Sequence, residues 1–373
     1  MSGYKETILQ FGAGKFLRAF FDLFVQEAAE AGEDPGKVVV VQSTPGARAG
    51  ELNDRGCAYH VLLRGISGGE RVDEARRVES ISRALVADES WAEVLELARS
   101  EDLRVVVSNT TEKGYEVDGS DGSTSSPPAS FPAKLLQVLS ARFDAGRGGL
   151  TILPCELIEH NASRLRGVVL ALAERWRLPL EFLRWVAKEC AWHENLVDRI
   201  VTGRPEGHPL LEEDPLALAC EPFALFAIEA RDGKLGLFSH PAIRAVDDVT
   251  PYALRKVRIL NGAHTALVAK ALPAGFATVR DAVEDPAVGS WLRGLLFQEI
   301  VPTVKERVED AEGFANVAAA AKQAVHDFRV RLGRDVVILG FQVQKVVTHA
   351  PAGQVSEESF LAQLAKDCQR QFA

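Results

Sequence analysis

The segment TILQFGAGKFLRAFFDLF, residues 7–24, constrains the fold more than any other stretch. Ile8, Leu9 and Phe11 form a short apolar run that predicts a strand, and Phe16, Leu17, Phe20, Phe21 and Phe24 recur at helical spacing. Gly12 and Gly14 therefore join a strand to a helix. Such a turn lets backbone approach a pyrophosphate at the positive end of a helix, which makes Gly12, Gly14 and Phe16 candidates for nucleotide contact. Leu17 stands where the GxGxxG pattern has its third glycine, so the turn by itself also fits plain chain punctuation.

The first half of the chain goes on alternating strand and helix. KVVVVQST, 37–44, is the β-branched run of a buried parallel strand. An acidic residue at such a strand end commonly holds the ribose 2′-hydroxyl of NAD. Here Gln42, Ser43 and Thr44 are neutral and Arg48 follows, so Gln42 and Thr44 are the cofactor candidates, and NAD and NADP both stay open. HVLLRG, 60–65, predicts another strand and 82–99 a helix. LRVVVSNTTEKGY, 103–115, is a strand ending in polar residues; ligands gather beyond such ends, which brings in Asn109 and Thr110. GLTILPCELIEHN, 149–161, repeats that pattern, and a helix is expected from Ser163 to Trp176.

The expected architecture is therefore α/β: a Rossmann-like, doubly wound domain over 1–244, then a mainly α-helical domain over 245–373. PYALRKVRILNGAHTALVAKAL, 251–272, predicts one long helix with Pro251 at its start. Further helices are expected around 288–301 and 314–332, and a late strand over 334–345.

Length and charge narrow the function classes. The 373 residues suffice for two cores. A net charge of −9 argues against nucleic acid, whose binders carry a basic patch or stripe. The five cysteines show neither metal-ligand spacing nor a disulfide framework and are expected to be small buried hydrophobes. No secretory signal and no apolar run of transmembrane length is evident. The expectation is a cytoplasmic protein with a small-molecule partner, no nucleic acid, no membrane and no metal; oligomeric state is open.

The 251–272 helix carries Lys256, Asn261 and His264. At about 100° per residue, Lys256 and His264 fall roughly 80° apart, and Asn261 and His264 are i,i+3 neighbours. Gly262 keeps that face open at a helix-propensity cost of about 1 kcal/mol. A solvated helix face has the same composition. The chemistry is what singles the set out: oxidising a hydroxyl needs a group that takes its proton and donors for the developing alkoxide. Lysine is such a base when desolvation brings its pKa towards neutrality.

Five separate segments resemble the mannitol dehydrogenase family, the polyol-specific long-chain dehydrogenases. FGAGKFLRAF matches its GxGxFxRA start through Gly12, Gly14, Phe16 and Arg18; SNTTEKGY, 108–115, its TEKG segment; LVDRIVTG, 196–203, its VDRI segment. EPFALFAIE, 221–229, is similar to its EPFxxWxIE segment with Phe226 in place of tryptophan, and KVRILNGAHT, 256–265, matches its Lys-x-x-x-x-Asn-x-x-His signature. The resemblance spans about residues 7–272.

It implies an NAD(P)-dependent dehydrogenase acting on CH–OH groups. Lys256 is then the catalytic base, Asn261 and Asn161 the asparagines that hold the oxyanion, and His264 the histidine on the substrate oxygen. Asp198 lies near nicotinamide or substrate. Arg18 and Arg258 are candidate partners for a substrate carboxylate, since guanidinium suits bidentate carboxylate binding. NAD is the implied cofactor, with NADP open. The nearest branch interconverts tagaturonate and altronate; the alternatives are a mannitol- or fructuronate-type dehydrogenase, or a non-catalytic nucleotide-binding sensor or structural protein. Two departures stand out. The family's asparagine before VDRI is matched by Glu194, a negative charge expected to disfavour a sugar-acid carboxylate. The RFxNPxxxHxxxxIxxNSxxK segment of larger members has no counterpart beyond QAVHDFRVRLGRDVVILGFQVQK, 323–345.

Overall fold

The computed structural model describes residues 4–67, 70–110, 112–204, 208–230, 235–271, 273–276, 279–308, 311 and 315. These fall into two compact units, divided between Leu63 and Arg64, between Asp73 and Glu74, and between Val249 and Thr250. The first unit is built on strands and the second on helices.

The strands are β1 (Glu6–Phe11), β2 (Lys37–Gln42), β3 (Tyr59–Ser67), β4 (Glu70–Val78), β5 (Ile81–Val86), β6 (Val105–Ser108), β7 (Thr151–Pro154), β8 (Ala191–Trp192), β9 (Asn195–Asp198), β10 (Val201–Gly203), β11 (Leu218–Cys220), β12 (Leu225–Glu229) and β13 (Ile243–Val246). Six of them form one sheet in the order β5-β2-β1-β6-β7-β8, and every pairing in it is parallel. By position along the chain this is the 3-2-1-4-5-6 order of a dinucleotide-binding sheet. The order reverses between β1 and β6, so a crevice opens beyond Phe11 and Ser108, where such sheets take their ligands.

Burial on both faces explains the β-branched strands. Val38, Val39, Val40 and Val41 are all fully buried. On one face Leu9, Phe11, Val39, Val41, Val106 and Ile152 share a core with the helices Ala87–Arg99, Phe131–Asp144, Asn161–Arg175 and Leu180–Lys188. Elsewhere in this unit the phenylalanines after the glycine turn pack on β12 and its surroundings: Phe20 and Phe21 meet Phe226 at 5.5 and 6.3 Å between ring centroids, and Phe21 meets Phe238 at 5.8 Å.

Two expectations change. Residues 82–99 are not one helix: Ile81–Val86 is the edge strand β5, paired with β2, and only Ala87–Arg99 is helical. Pairing with Val38–Gln42 overrides a pattern too short to separate strand from helix. HVLLRG is a strand, but it belongs to a second sheet of order β10-β11-β3-β4, with β3 parallel to β11. A third sheet, β13-β12-β9, joins the EPF segment to the VDRI segment, with Leu225 opposite Asp198.

In the helical unit, 251–272 holds an α-helical turn, Thr250–Leu254, a π-helical segment, Arg255–Asn261, and an α-helix, Gly262–Ala271. Ile259, Ala263, Leu267 and Ala271, four apart, lie in the unit's core with Val283, Leu292, Leu296 and Val304. The expected 288–301 helix is Pro286–Gly294, followed by a second π segment, Leu295–Ile300. The helix expected over 314–332 lies, apart from Ala315, outside the described residues, as does the strand over 334–345.

Candidate active site

The glycine turn sits at the end of β1, on the crevice side of the sheet. Gly12 has φ +122°, donates its N–H to the carbonyl of Val41 at 3.0 Å, and would place a β-carbon 2.9 Å from the carbonyl oxygen of Asn109. Both facts call for glycine. Gly14 differs. It is exposed and extended, and nothing lies within 4 Å of where its β-carbon would be. It precedes a helix of only four residues, Lys15–Arg18, so backbone access rather than a long helix dipole is what this turn offers an anion. Open space at Gly14 beside the switch point fits a dinucleotide phosphate. Phe16 is half-buried and stacks on Phe20 at 4.9 Å.

Asn109 and Thr110 stand at the end of β6. Asn109 donates from its side-chain amide to the carbonyl of Cys155 at 2.7 Å, and Thr110 donates from N and Oγ1 to Glu156 at 2.8 and 2.9 Å. Glu156 was not singled out by the sequence reading. Its carboxylate is buried and also accepts from Ser108 Oγ and Tyr115 Oη, at 3.1 and 3.2 Å. Burial raises its pKa, opposed by the hydrogen bonds from Thr110 and Ser108. Only its place just beyond an apolar strand could have signalled it.

Gln42 takes a different part from the one expected. Its amide donates to the carbonyls of Thr44 and Gly46, at 2.9 and 2.7 Å, and accepts from the N–H of Ala49 at 2.7 Å. All its reach goes into shaping the loop after β2, which leaves the exposed Ser43 and Thr44 as the polar side chains just beyond this strand end. Arg48 pairs with Glu51 at 2.7 Å.

Lys256, Asn261 and His264 are each half-buried in the helical unit. The π segment changes their relation. In an α-helix five residues turn about 500°, leaving Lys256 and Asn261 roughly 140° apart. A π turn closes i→i+5 hydrogen bonds, so the same five residues take little more than one turn. Lys256 and Asn261 thereby come towards one face, and His264 follows three residues on. Such π turns recur at functional sites. Arg258 is half-buried on the same segment, and Lys256, Arg258 and His264 all have interactions of their own. Gly262 is not needed to keep the face open, because its β-carbon would make ordinary contacts of 3.7 Å with Ile300 and 3.8 Å with the carbonyl of Val257.

Two expected site residues, Asn161 and Arg18, are bound to backbone carbonyls as placed. Asn161 is 2% exposed, and its amide donates to the carbonyls of Pro154 and Asn195 at 2.7 and 3.1 Å, with a longer contact to that of Glu156 at 3.3 Å. Both amide hydrogens are used, so this geometry does not offer the second oxyanion donor that was expected. Arg18 is 2% exposed, donates to the carbonyl of Leu216 at 3.1 Å and lies 5.3 Å over the Tyr59 ring. Burial lowers its pKa, and it is no carboxylate clamp. Asp198 is buried and has an interaction of its own, while the neighbouring Arg199 binds the carbonyls of Ala19, Glu221, Pro222 and Phe223 at 2.9–3.3 Å.

Glu194 also finds a use other than the one feared. It accepts from the N–H groups of Ala162 and Ser163, at 3.1 and 2.9 Å, in the first turn of the 15-residue helix Asn161–Arg175. Its charge sits against the positive end of that helix. Four cysteines, Cys57, Cys155, Cys190 and Cys220, are buried free thiols; Cys368 lies outside the described residues. Among the described residues no group of three or more His, Cys, Asp or Glu is placed to hold a metal, and no helix is long and apolar enough to cross a membrane.

The mannitol dehydrogenase Rossmann domain matches residues 6–237, and the mannitol dehydrogenase C-terminal domain matches 248–320. The chain belongs to the mannitol dehydrogenase family. It is 40% identical over 316 residues to the altronate oxidoreductase of Bacillus subtilis (strain 168), covering 81% of this chain and 66% of that protein. Against the altronate oxidoreductase of Enterobacter sp. (strain 638) it is 38% identical over 332 residues, 84% of this chain and 68% of that one. The chain thus spans about two thirds of the length of these relatives. Among solved structures it is similar in fold to mannitol 2-dehydrogenase of Pseudomonas fluorescens, with TM-score 0.78, 21% identity, and coverage of 98% of this chain and 79% of that chain. A D-sorbitol dehydrogenase gives TM-score 0.74 at 22% identity, covering 99% and 81%.

Proposed function

We propose that this chain is a nicotinamide-dependent oxidoreductase that interconverts the ketose acid tagaturonate and its alcohol altronate. The π turn that carries Lys256 and Asn261 towards one face is the observation that supports the chemistry. The names and 37–40% identity of the altronate oxidoreductases support the substrate. Gly12, Gly14 and the ends of β2 and β6, with Thr44, Asn109 and Thr110, hold the dinucleotide. NAD is favoured by the family, and Arg48 leaves room for NADP.

The nicotinamide supplies or takes up the hydride at the substrate's carbinol carbon. In reduction the ketone oxygen gains negative charge as the carbon–hydrogen bond forms. The Asn261 amide and the His264 imidazole donate to that oxygen, and the Lys256 ammonium gives it a proton. In oxidation Lys256 takes the hydroxyl proton, and the same donors hold the developing alkoxide. Of the two arginines considered for the carboxylate, Arg18 is committed elsewhere, so Arg258 is the cation proposed here.

A panel of hexuronate and hexitol substrates, followed by nicotinamide absorbance with each reduced cofactor, tests the reading. Turnover of tagaturonate well above fructuronate and fructose is expected. Turnover of neutral ketoses alone overturns the substrate and keeps the chemistry. Nicotinamide binding with no turnover of any member favours a sensor.

A further inference from the structure

We propose that Glu156 is a positioning residue for the cofactor: a buried carboxylate that fixes Ser108, Thr110 and Tyr115 at the switch point. This rests on the reading of the crevice as the dinucleotide site.

Beyond Ser108 the chain leaves the sheet, and among the described residues its next element is a 3-10 turn, Glu112–Tyr115. The Glu156 carboxylate gathers it. One oxygen accepts from Thr110 N and Thr110 Oγ1 at 2.8 and 2.9 Å; the other accepts from Ser108 Oγ and Tyr115 Oη at 3.1 and 3.2 Å. Four donors nearly fill what a carboxylate can accept. Among the described residues no Lys, Arg or His forms an ion pair with it. A buried charge without a counterion is costly, and leucine would fill the volume without that cost. What leucine could not do is hold four donors in one place.

The held segment bears on the glycine turn. Asn109, tied to the Cys155 carbonyl, puts its own carbonyl oxygen where a β-carbon on Gly12 would come within 2.9 Å. On the other side, a β-carbon on Gly114 would fall 1.8 Å from Thr110 Oγ1, so Thr110 is confined between Gly114 and Glu156. A shift of Thr110 therefore reaches Gly12 through one residue. The backbone of Glu156 is itself anchored, because its carbonyl accepts from Asn161 at 3.3 Å.

The chemistry of the acceptor sets the test. Protonated Glu156 carries an O–H that must displace one of the four donors. A glutamine keeps an acceptor for Thr110 and turns a donor towards Ser108 and Tyr115, whose hydroxyls can rotate to accept. A leucine keeps nothing. The Kd for NADH is measured by titration calorimetry across pH for wild type, Glu156→Gln, Glu156→Leu and Thr110→Val, with the KM for tagaturonate at saturating NADH. Glu156→Leu removes all four hydrogen bonds at once and should raise Kd about 10-fold or more. Glu156→Gln should recover most of the affinity and abolish its loss at low pH. Thr110→Val, which removes only one bond, should raise Kd by several-fold and serves if the leucine variant does not fold. The tagaturonate KM should move little throughout, whereas general loosening of the fold would move both constants. Unchanged NADH affinity in a folded Glu156→Leu or in Thr110→Val overturns the proposal alone. Failure of wild type to bind either NADH or NADPH overturns the reading of the crevice, and the proposal with it.

Discussion

The sheet unit and the helical unit hold their polar side chains by opposite means. In the sheet unit Gln42, Asn161 and Arg199 are buried, with their donors and acceptors spent largely on backbone, and the buried Glu156 is held by one backbone N–H and three hydroxyls. In the helical unit Lys256, Asn261 and His264 are half-buried beside the apolar row Ile259, Ala263, Leu267 and Ala271. There the pitch of a π segment brings Lys256 and Asn261 towards one face. A motif residue is therefore not a reacting residue by membership alone. Arg18, from a family-like segment, and Asn161, matched to a family asparagine, are both bound to backbone carbonyls in this geometry, while the trio on the helix is half-buried. If the comparison is right, damage to the helical unit should fall on turnover and damage to the sheet unit on stability and cofactor binding.

The largest expected effect tests the helical side. Lys256→Ala should lower kcat about 10²–10⁴-fold, the usual worth of positioned proton transfer, with NADH affinity unchanged. A pH–rate series on wild type and variant, with Kd measured separately, checks it. Near-wild-type turnover with the same pH dependence in the variant would break the comparison at its chemical end.

Next comes the polar cluster under the glycine turn. Asp22 is fully buried, and burial pushes its pKa up to about 7, against hydrogen bonding from Gln10 and the charge of Arg18. Gln10 bridges Asp22 and the carbonyl of Gly12, at 3.2 and 3.1 Å. Between its ordinary value near 3.8 and about 7, the folded chain keeps a proton on Asp22 that the unfolded chain loses. The stability this group contributes is therefore full below that window and is lost as pH rises through it. A shift of about three units corresponds to on the order of 4 kcal/mol. The Tm of wild type relative to Asp22→Asn should fall between about pH 4 and pH 7. A difference that stays flat means that Asp22 is not held neutral.

The two glycines sharpen the same comparison within one turn. Gly12→Ala meets both a positive φ and the Asn109 carbonyl, so it should cost about 1–3 kcal/mol of stability as well as cofactor affinity. Gly14→Ala has ordinary backbone angles and open space around it, so Tm should hold while NADH binding weakens. Equal loss of Tm in both would contradict the assignment of Gly14 to ligand approach.

Much of the sheet unit was legible in the sequence because burial on two faces forces β-branched runs, and Val38–Val41 can hardly be anything else. β5 was missed because ISRALV is short and leads straight into a helix, so only its pairing with β2 decides it. The π segment was not legible for another reason. KVRILN has no residue that marks a change of pitch, and a 3.6-residue repeat was imposed on it. The glycine turn, Asn109, Thr110 and the Lys256 trio stand out as candidates by type and spacing. Glu156 and the partners of Glu194 and Asn161 do not, since hydrogen bonds across 32 to 48 residues leave no local pattern.

Glu194 gives the smallest effect and the finest test. By spacing it takes the place of a family asparagine and would set a negative charge against a sugar acid. In the structure that charge caps the helix Asn161–Arg175, whose preceding residue, His160, has φ +53° and makes no capping bond of its own. Removing the carboxylate frees the Ser163 N–H, while that of Ala162 keeps Asn161 Oδ1 at 2.9 Å, and takes the negative charge from the helix end. Caps and end charges are each worth about 1 kcal/mol, and water takes over part of the loss here because Glu194 is only half-buried. Glu194→Ala should therefore lower stability by about 1 kcal/mol and Glu194→Gln by less. Glu194→Asn, which restores the family's residue type, should behave like the alanine in stability, because the shorter side chain cannot reach both N–H groups, and kcat/KM for tagaturonate should stay within about twofold, the range in which no charge interaction worth a kcal/mol has changed. A gain of about tenfold in kcat/KM on Glu194→Asn, with Tm unmoved, would put the carboxylate beside the substrate instead of at the helix end.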